Sequence, residues 1–541
     1  MIKLNADLVV VGAGSTGCGI ARDAAMRGFD VVLVDKGDIA QGTSGRFHGL
    51  LHSGARYAVS DPALARECAA ENAIIKLIQP DAVEDTGGLF VSFEGDDQDY
   101  AEQFLAACAA SGLVHEEITP AQARRDEPRL APRIVRAIRV CDAAVDGWAL
   151  SLGAVRSATA YGARILTYTR VAGIDLADGQ VAAVRCQDRK NGRNIVIDTR
   201  FVINAAGPWV SQVAALMGID GIDVTPAQGI MLASGHRLTS RVLNRLRPLS
   251  DGDIMVPART VSTVGTTDEP TDDPDRLTMP RARIQEMLSA GEALTPGFRA
   301  GRVLHSWVGA RPLIEDSRAA AGERREMGRG MLIFDHAERD GVSGALTVAG
   351  GKLTTYRLMA ERAVDLMCRR LGDERPCRTA EEAVPDAVGP PRRITGRWSR
   401  LEAARTAAAA RAAAGEACSD QPTIQDPVLC ECELVGRSAL IEPLAQSPDW
   451  SLDDLRRRTR LGMGPCQGGF CAARGAGAAC QQGLWSADRA SAALRHFLRN
   501  RWIGQWSVLY GDALRQAALD DRVLYGSLGL DLLPADEAVI L

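Results

Sequence analysis

The chain has 541 residues, 46% hydrophobic and 24% charged, which excludes disordered and fibrous classes and implies two to four domains at roughly 100 to 200 residues each. Lys and Arg number 63 against 68 Asp and Glu, a net charge of -5, so nothing draws the chain to nucleic acid in general and any anion must be bound locally. The 13 cysteines, an odd number spread over a long chain, point to reduced thiols rather than a disulfide framework.

The first residues do not read as a signal peptide, and no run reaches about 18 uncharged apolar residues, so the chain is expected to be cytoplasmic with no membrane-spanning helix. Residues 1 to about 370 alternate short β-like runs with Ala-rich helical runs, the pattern of an α/β domain. Strands are predicted at Asp7 to Val11, Val31 to Val34, Arg200 to Ala205 and Ala345 to Ala349. Pro385, Gly389, Pro390 and Pro391 then break the pattern, and residues 371–427 read as a connector with one helix over 401–415. Residues 428–482 hold two close cysteine pairs, and 483–541 form a tail with Trp485, Trp502, Trp506 and Tyr510.

The strand Asp7 to Val11 runs into Gly12-Ala13-Gly14-Ser15-Thr16-Gly17, and a helix is predicted from Cys18 to Arg27. The glycines permit a tight turn in which backbone N–H groups approach a pyrophosphate at a helix N-terminus. A second strand ends at Asp35, placed to hydrogen-bond a ribose hydroxyl. A reductase using flavin and nicotinamide together would carry a second fingerprint. The nearest match, Gly475-Ala476-Gly477-Ala478-Ala479-Cys480, lacks a preceding β run and reads as small-residue helix packing. One tightly held dinucleotide favours FAD over NAD.

Past Asp35 comes Gly42-Thr43-Ser44-Gly45-Arg46-Phe47-His48-Gly49-Leu50-Leu51-His52-Ser53-Gly54-Ala55-Arg56-Tyr57, followed farther on by Asn204 to Trp209, Gly265 to Asp268, Gly309 to Leu313, Asp335 to Gly341 and Gly350 to Arg357. In content and order these blocks resemble the FAD-dependent glycerol-3-phosphate dehydrogenases, the A subunits of the anaerobic enzymes above all. The resemblance implies a Rossmann-type FAD domain with an interleaved β-rich substrate domain over residues 1–370. It implies that Gly12 to Gly17, Asp35, Lys36, Gly42, Thr43, Ser44, His48, Gly49, Val171, Ala206, Gly207, Gly351, Lys352, Leu353 and Thr354 hold FAD. It also implies that Arg56 and Arg311 grip the phosphate and polar end of the substrate, beside Tyr57, Lys352 and Thr354. A planar guanidinium suits that task, because it meets phosphate bidentately. The implied reaction takes hydride from C2 of glycerol 3-phosphate while a base removes the hydroxyl proton, giving dihydroxyacetone phosphate. His52 and Lys352 are both candidates for that base. Lys352 is alternatively a stabiliser of negative charge on reduced flavin or developing alkoxide. The family also implies two partners, a second flavoprotein subunit plus an iron-sulfur membrane-anchor subunit, that pass electrons to quinone, hence a peripheral position on the inner face of the cell membrane.

Two segments depart from the family pattern, Gln228-Gly229-Ile230 and the stretch Asp142 to Leu152. They leave the identity of the substrate open. The alternatives are an FAD-dependent amine or opine dehydrogenase, a chemistry that the same flavin fold and cysteine domain also serve, and a non-catalytic electron-transfer module.

Cys430-Glu431-Cys432, 33 residues, then Cys466-Gln467-Gly468-Gly469-Phe470-Cys471 gives CxC and CxxxxC. Two thiolates per iron is what a 2Fe-2S cluster needs. The segment resembles the bacterioferritin-associated-ferredoxin type of 2Fe-2S domain. Structural zinc is the competitor, although zinc sites usually space their cysteines by two to four residues. The other nine cysteines read as small hydrophobes. The tail over Leu494 to Trp506 reads either as a membrane- or partner-docking helix or as a segment packing back over the flavin domain.

Overall fold

The computed structural model describes residues 1–316, 330–385, 387 and 426–532. The connector helix expected over 401–415 lies outside them, as does the last part of the tail.

Leu8–Val11 and Val31–Val34 are buried on both faces, so each reads as an unbroken apolar run. They sit inside a six-stranded sheet whose order is Arg164–Leu166, Val31–Val34, Leu8–Val11, Val202–Asn204, Ala345–Gly350 and Met331–Asp335. Its pairings are parallel except the last. The crossover helix Ser15–Met26 starts three residues before the predicted Cys18, inside the glycine motif, because Gly14 supplies the extended N-cap. Two glycines make this turn possible. A Cβ on Gly12, whose φ is 106°, would lie 2.6 Å from the Ala205 carbonyl oxygen, and one on Gly17 would lie 1.8 Å from that of Gly12. The helices Gly147–Ala160 and Tyr356–Leu371 pack against the crossover helix and complete this core.

The chain leaves this sheet twice to build a second one, which makes the β-rich domain interleaved as expected. The order is Glu269–Pro270, Ile222–Ser234, Val261–Gly265, Ile254–Ala258, Val242–Arg245, Gly88–Phe93, Ile134–Val140 and His115–Ile118. The long strand Val303–Asp316 pairs antiparallel along Ile222–Ser234. A four-stranded sheet holds Ile2–Ala6, Asn194–Thr199, Gln180–Asp188 and Thr169–Ala177.

The C-terminal unit pairs Val428–Cys430 with Val435–Gly436 and adds the helices Ser438–Gln446, Leu452–Thr459, Cys471–Gln481, Ala487–Gln505 and Gly511–Leu528. Leu440, Leu455, Leu461 and Phe497 are at its centre. The glycine-rich stretch at 475–480 is helical, and a Cβ on Gly475 would press on Leu440 at 3.2 Å, so its small residues serve helix packing. Of the two readings of the tail, packing back is the one seen. Helix Ala487–Gln505 lies on Val303–Asp316, where the Ser306 hydroxyl donates to the Gly504 carbonyl at 3.0 Å and lies 2.6 Å from the Ser507 hydroxyl. Among the described residues no helix is long and apolar enough to cross a membrane.

Candidate functional site

A cavity of about 740 Å³ takes its walls from both large sheets and from the glycine turn. At one end Gly12, Gly14, Ser15 and Thr16 line it. Gly14 caps the crossover helix without a side chain, so the first turn of that helix stays open to the cavity. Ser44 holds the turn from the other side, accepting from Ser15 N–H at 2.9 Å. Asp35 ends the second strand, with its carboxylate accepting from Ala13 and Gly37 N–H at 2.6 and 2.7 Å. Burial pushes its pKa up against those two bonds. Thr169 N–H bonds the Asp35 carbonyl at 2.6 Å, which brings Arg170 and Val171 to the same wall. Ala206 and Gly207 line the same cavity.

The other end gathers His48, His52, Tyr57, Arg311 and Lys352. Arg311 projects from Val303–Asp316. It donates to Asp268 at 2.8 Å, to the Thr266 hydroxyl at 3.0 Å and to the Thr267 carbonyl at 2.7 Å, so its planar head is fixed. Lys352 Nζ lies 5.3 Å from the centre of the Tyr57 ring. Burial, then the charges of Arg56, Arg311 and Lys352, lower the His48 pKa to about 3. Leu50 N–H donates to His48 Nδ1 at 3.1 Å, so the neutral ring carries its proton on Nε2. His52 is likewise held far below its ordinary value by burial, then by His48, Arg56 and Lys352. Its Nδ1 is buried without a hydrogen-bond partner, and its Nε2 is 3.5 Å from the Tyr57 hydroxyl. Thr354 accepts from His52 N–H at 3.1 Å and so fixes the segment bearing that ring.

The cavity also has Lys36, Gly42, Thr43, Gly351 and Leu353 on its walls, with Thr354. Ala13, Gly17, Gly49 and Arg56 are not wall residues. The first three shape the backbone behind it, and Arg56 faces Asp253 at 3.7 Å while acting electrostatically on both histidines. Sequence reasoning did not single out Asp275, Met279, Met359 or Ile503, which also line the cavity. Asp275 accepts from Trp209 Nε1 at 3.0 Å and pairs with Lys36 at 3.1 Å. Its only signal was a loop punctuated by Pro270, Pro274 and Pro280.

The four cysteines of the C-terminal unit come together. Cys432 Sγ lies 3.8 Å from Cys466 Sγ, and the Cys471 thiol bonds both Cys430 and Cys466. Those bonds, with backbone N–H groups of Gly462 and Gly468, draw Cys430 down to about 6 and Cys466 to about 5, while Cys471 is pushed up as the donor. Burial raises Cys432 to about 11. No described cysteine is in a disulfide. Among the described residues, no group of three or more His, Cys, Asp and Glu side chains is arranged to hold a metal ion.

Residues 7–357 match the family model described as FAD dependent oxidoreductase. The A subunit of the anaerobic glycerol-3-phosphate dehydrogenase of Escherichia coli is 39% identical over 97% of this chain and 97% of its own. The A1 subunit of the corresponding enzyme of Haloferax volcanii is 36% identical over 99% of this chain and 92% of its own. Among solved structures, the glycerol-3-phosphate dehydrogenase of Bacillus halodurans complexed with FAD superposes with a TM-score of 0.62 at 22% identity, covering 94% of this chain and 96% of its own, a likeness of fold.

Proposed function

Because the chain belongs to the FAD-dependent oxidoreductases, and within them to the family of anaerobic glycerol-3-phosphate dehydrogenase A subunits, we propose that it oxidises sn-glycerol 3-phosphate to dihydroxyacetone phosphate. The observation that carries this reading is the meeting of Arg311 and Lys352 in the cavity that the glycine turn opens, with Arg56 outside its walls acting on the same histidines through its charge. A phosphate dianion suits such a set.

The glycine turn, Ser44 and the Asp35 strand end fit the dinucleotide of FAD, and the unpartnered His52 Nδ1 marks where a polar ligand belongs. Bound flavin supplies the hydride acceptor at N5. Arg311 binds the phosphate in a head already oriented by Asp268, and Lys352 adds a mobile charge. As the site stands, burial first, then the charges of His48, Arg56 and Lys352, hold His52 neutral. A phosphate dianion offsets the cationic share of that effect, and in this reading the neutral ring takes the proton from the C2 hydroxyl. Lys352 then stabilises the negative charge that develops.

What supports a 2Fe-2S cluster on Cys430, Cys432, Cys466 and Cys471 is the convergence of the four thiols, with backbone N–H groups directed at Cys430 and Cys466, although in the structure as it stands the four are not yet spaced as a metal site. Such a cluster would supply one-electron transfer. In this reading electrons pass through it to a second flavoprotein subunit, to an iron-sulfur anchor subunit, then to a quinone, with this chain peripheral on the cytoplasmic face of the membrane. Steady-state turnover with an artificial acceptor tests the substrate: glycerol 3-phosphate should be used, octopine and proline should not. Turnover with octopine or proline alone would refute it.

A further inference from the structure

Glu433 follows Cys432 directly and its side chain is fully buried. It accepts from Arg460 Nε at 2.9 Å and from the Thr260 hydroxyl at 3.2 Å. Arg460 reaches across to the flavin domain, where Nη1 donates to Asp146 Oδ2 at 2.6 Å. The other Asp146 oxygen caps helix Gly147–Ala160, accepting from Trp148 and Ala149 N–H at 3.0 and 3.1 Å. The first residue of that helix is seated on the cavity loop: a Cβ on Gly147 would lie 2.3 Å from the Ser44 carbonyl oxygen. Ser44 in turn holds Ser15 at the glycine turn.

The same C-terminal unit grips the start of this loop. From helix Leu452–Thr459, Arg457 Nε meets Asp38 at 2.9 Å and Arg458 meets both Asp38 oxygens at 2.7 and 2.9 Å. Gly37 and Gln41, on either side of Asp38, line the cavity, as do Thr43 and Ser44. The loop between Gly37 and His48 is therefore held directly at Asp38 by Arg457 and Arg458, and indirectly at Ser44 through Arg460, Asp146 and the helix that Asp146 caps.

The backbone argues that Arg460 is kept for this contact. It caps helix Leu452–Thr459 with φ of 67°, the left-handed conformation that glycine takes without cost and that an arginine does not. Buried ion pairs of this kind offset much of their own attraction by desolvation, so they specify geometry more than they add stability.

We propose that Arg460, together with Arg457 and Arg458, positions the flavin: the docked C-terminal unit sets the Gly37 to His48 loop and thereby the grip on the bound dinucleotide. The proposal rests on the flavin reading of the cavity and not on the substrate. Arg460→Gly removes the side chain while relaxing the turn, so loss of flavin in it cannot come from backbone strain. FAD release from the full-length holoenzyme on dilution, followed by flavin fluorescence, gives the Kd, and visible circular dichroism reports the surroundings of the flavin. Arg460→Gly and the double variant Arg457→Ala/Arg458→Ala should each raise the Kd at least tenfold and change the flavin dichroism. Arg460→Lys should recover part of the affinity. Arg489→Ala, which breaks a bond to the Pro448 carbonyl inside the C-terminal unit, should match the parent. Should Arg460→Gly not be recovered folded, Asp146→Asn reads the same contact from the flavin side. Parental FAD affinity and dichroism in the Arg460 and double variants, or equal loosening by Arg489→Ala, would overturn the proposal. Glycerol 3-phosphate is absent from this assay, so failure of the substrate reading leaves its outcome unaffected.

Discussion

Arg311 is held by Asp268, Thr266 and Thr267 before any ligand arrives, so little side-chain entropy remains to be lost when it meets an anion. A charged hydrogen-bond donor of this kind is worth about 1.5 to 3 kcal/mol. Arg311→Ala is therefore expected to lower kcat/KM for glycerol 3-phosphate roughly 10- to 150-fold. Arg311→Lys should restore only part, because an ammonium lacks the planar fork. Steady-state kinetics on both variants checks this, and unchanged kcat/KM in the alanine variant would remove Arg311 from the substrate grip. A second expectation concerns His305, whose pKa burial lowers from 6.5 to about 3. Between those values the unfolded chain binds the proton and the folded chain does not. The stability that the neutral ring confers is complete above about pH 6.5 and falls away as pH drops toward 3. At pH 5 the loss is about 2 kcal/mol. Thermal unfolding at pH 7 and pH 5 should show a larger drop for the parent than for His305→Asn. The residues of the glycine turn were legible because their spacing is chemical. The Arg457, Arg458 and Arg460 contacts were not, since an arginine run on a helix reads as a solvated face until the tertiary structure supplies Asp38 and Asp146.

At the scale of elements, strands buried on both faces were the easiest to read. Val31–Val34 falls where the apolar run places it, and Val202–Asn204 is shorter at both ends than the run Arg200 to Ala205 suggested. The pairing of Val303–Asp316 with Ile222–Ser234 was not legible, because no local signal sets a register between strands so far apart in sequence. The crossover turn tolerates no side chain at Gly17, where a Cβ would lie 1.8 Å from a backbone oxygen. Gly17→Val should yield a protein that purifies without flavin absorbance, and full flavin content in it would show that this turn does not carry the cofactor. The tail helix is seated as closely: a Cβ on Gly504 would lie 1.9 Å from the His305 ring. Gly504→Val should lower the Tm through overpacking worth about 1 to 3 kcal/mol, read by calorimetry.

Across the whole molecule, one chain joins a cavity between interleaved sheets to a C-terminal unit in which four thiols converge. The cysteine spacing marked the thiols that converge, but where their unit would dock was written in charges that pair only after folding. If the thiols carry electrons onward, Cys466→Ser should purify with less iron yet keep its flavin. It should still be reduced by substrate while passing electrons to a quinone analogue many-fold more slowly. Parental quinone reduction in that variant would place the outward route elsewhere.

The most direct test of the central claim is the visible spectrum of the purified holoenzyme under anaerobic conditions, recorded before and after one addition of glycerol 3-phosphate. The expected result is bleaching of the flavin bands by glycerol 3-phosphate, with none on addition of octopine or proline. A flavin spectrum unmoved by glycerol 3-phosphate would contradict the account.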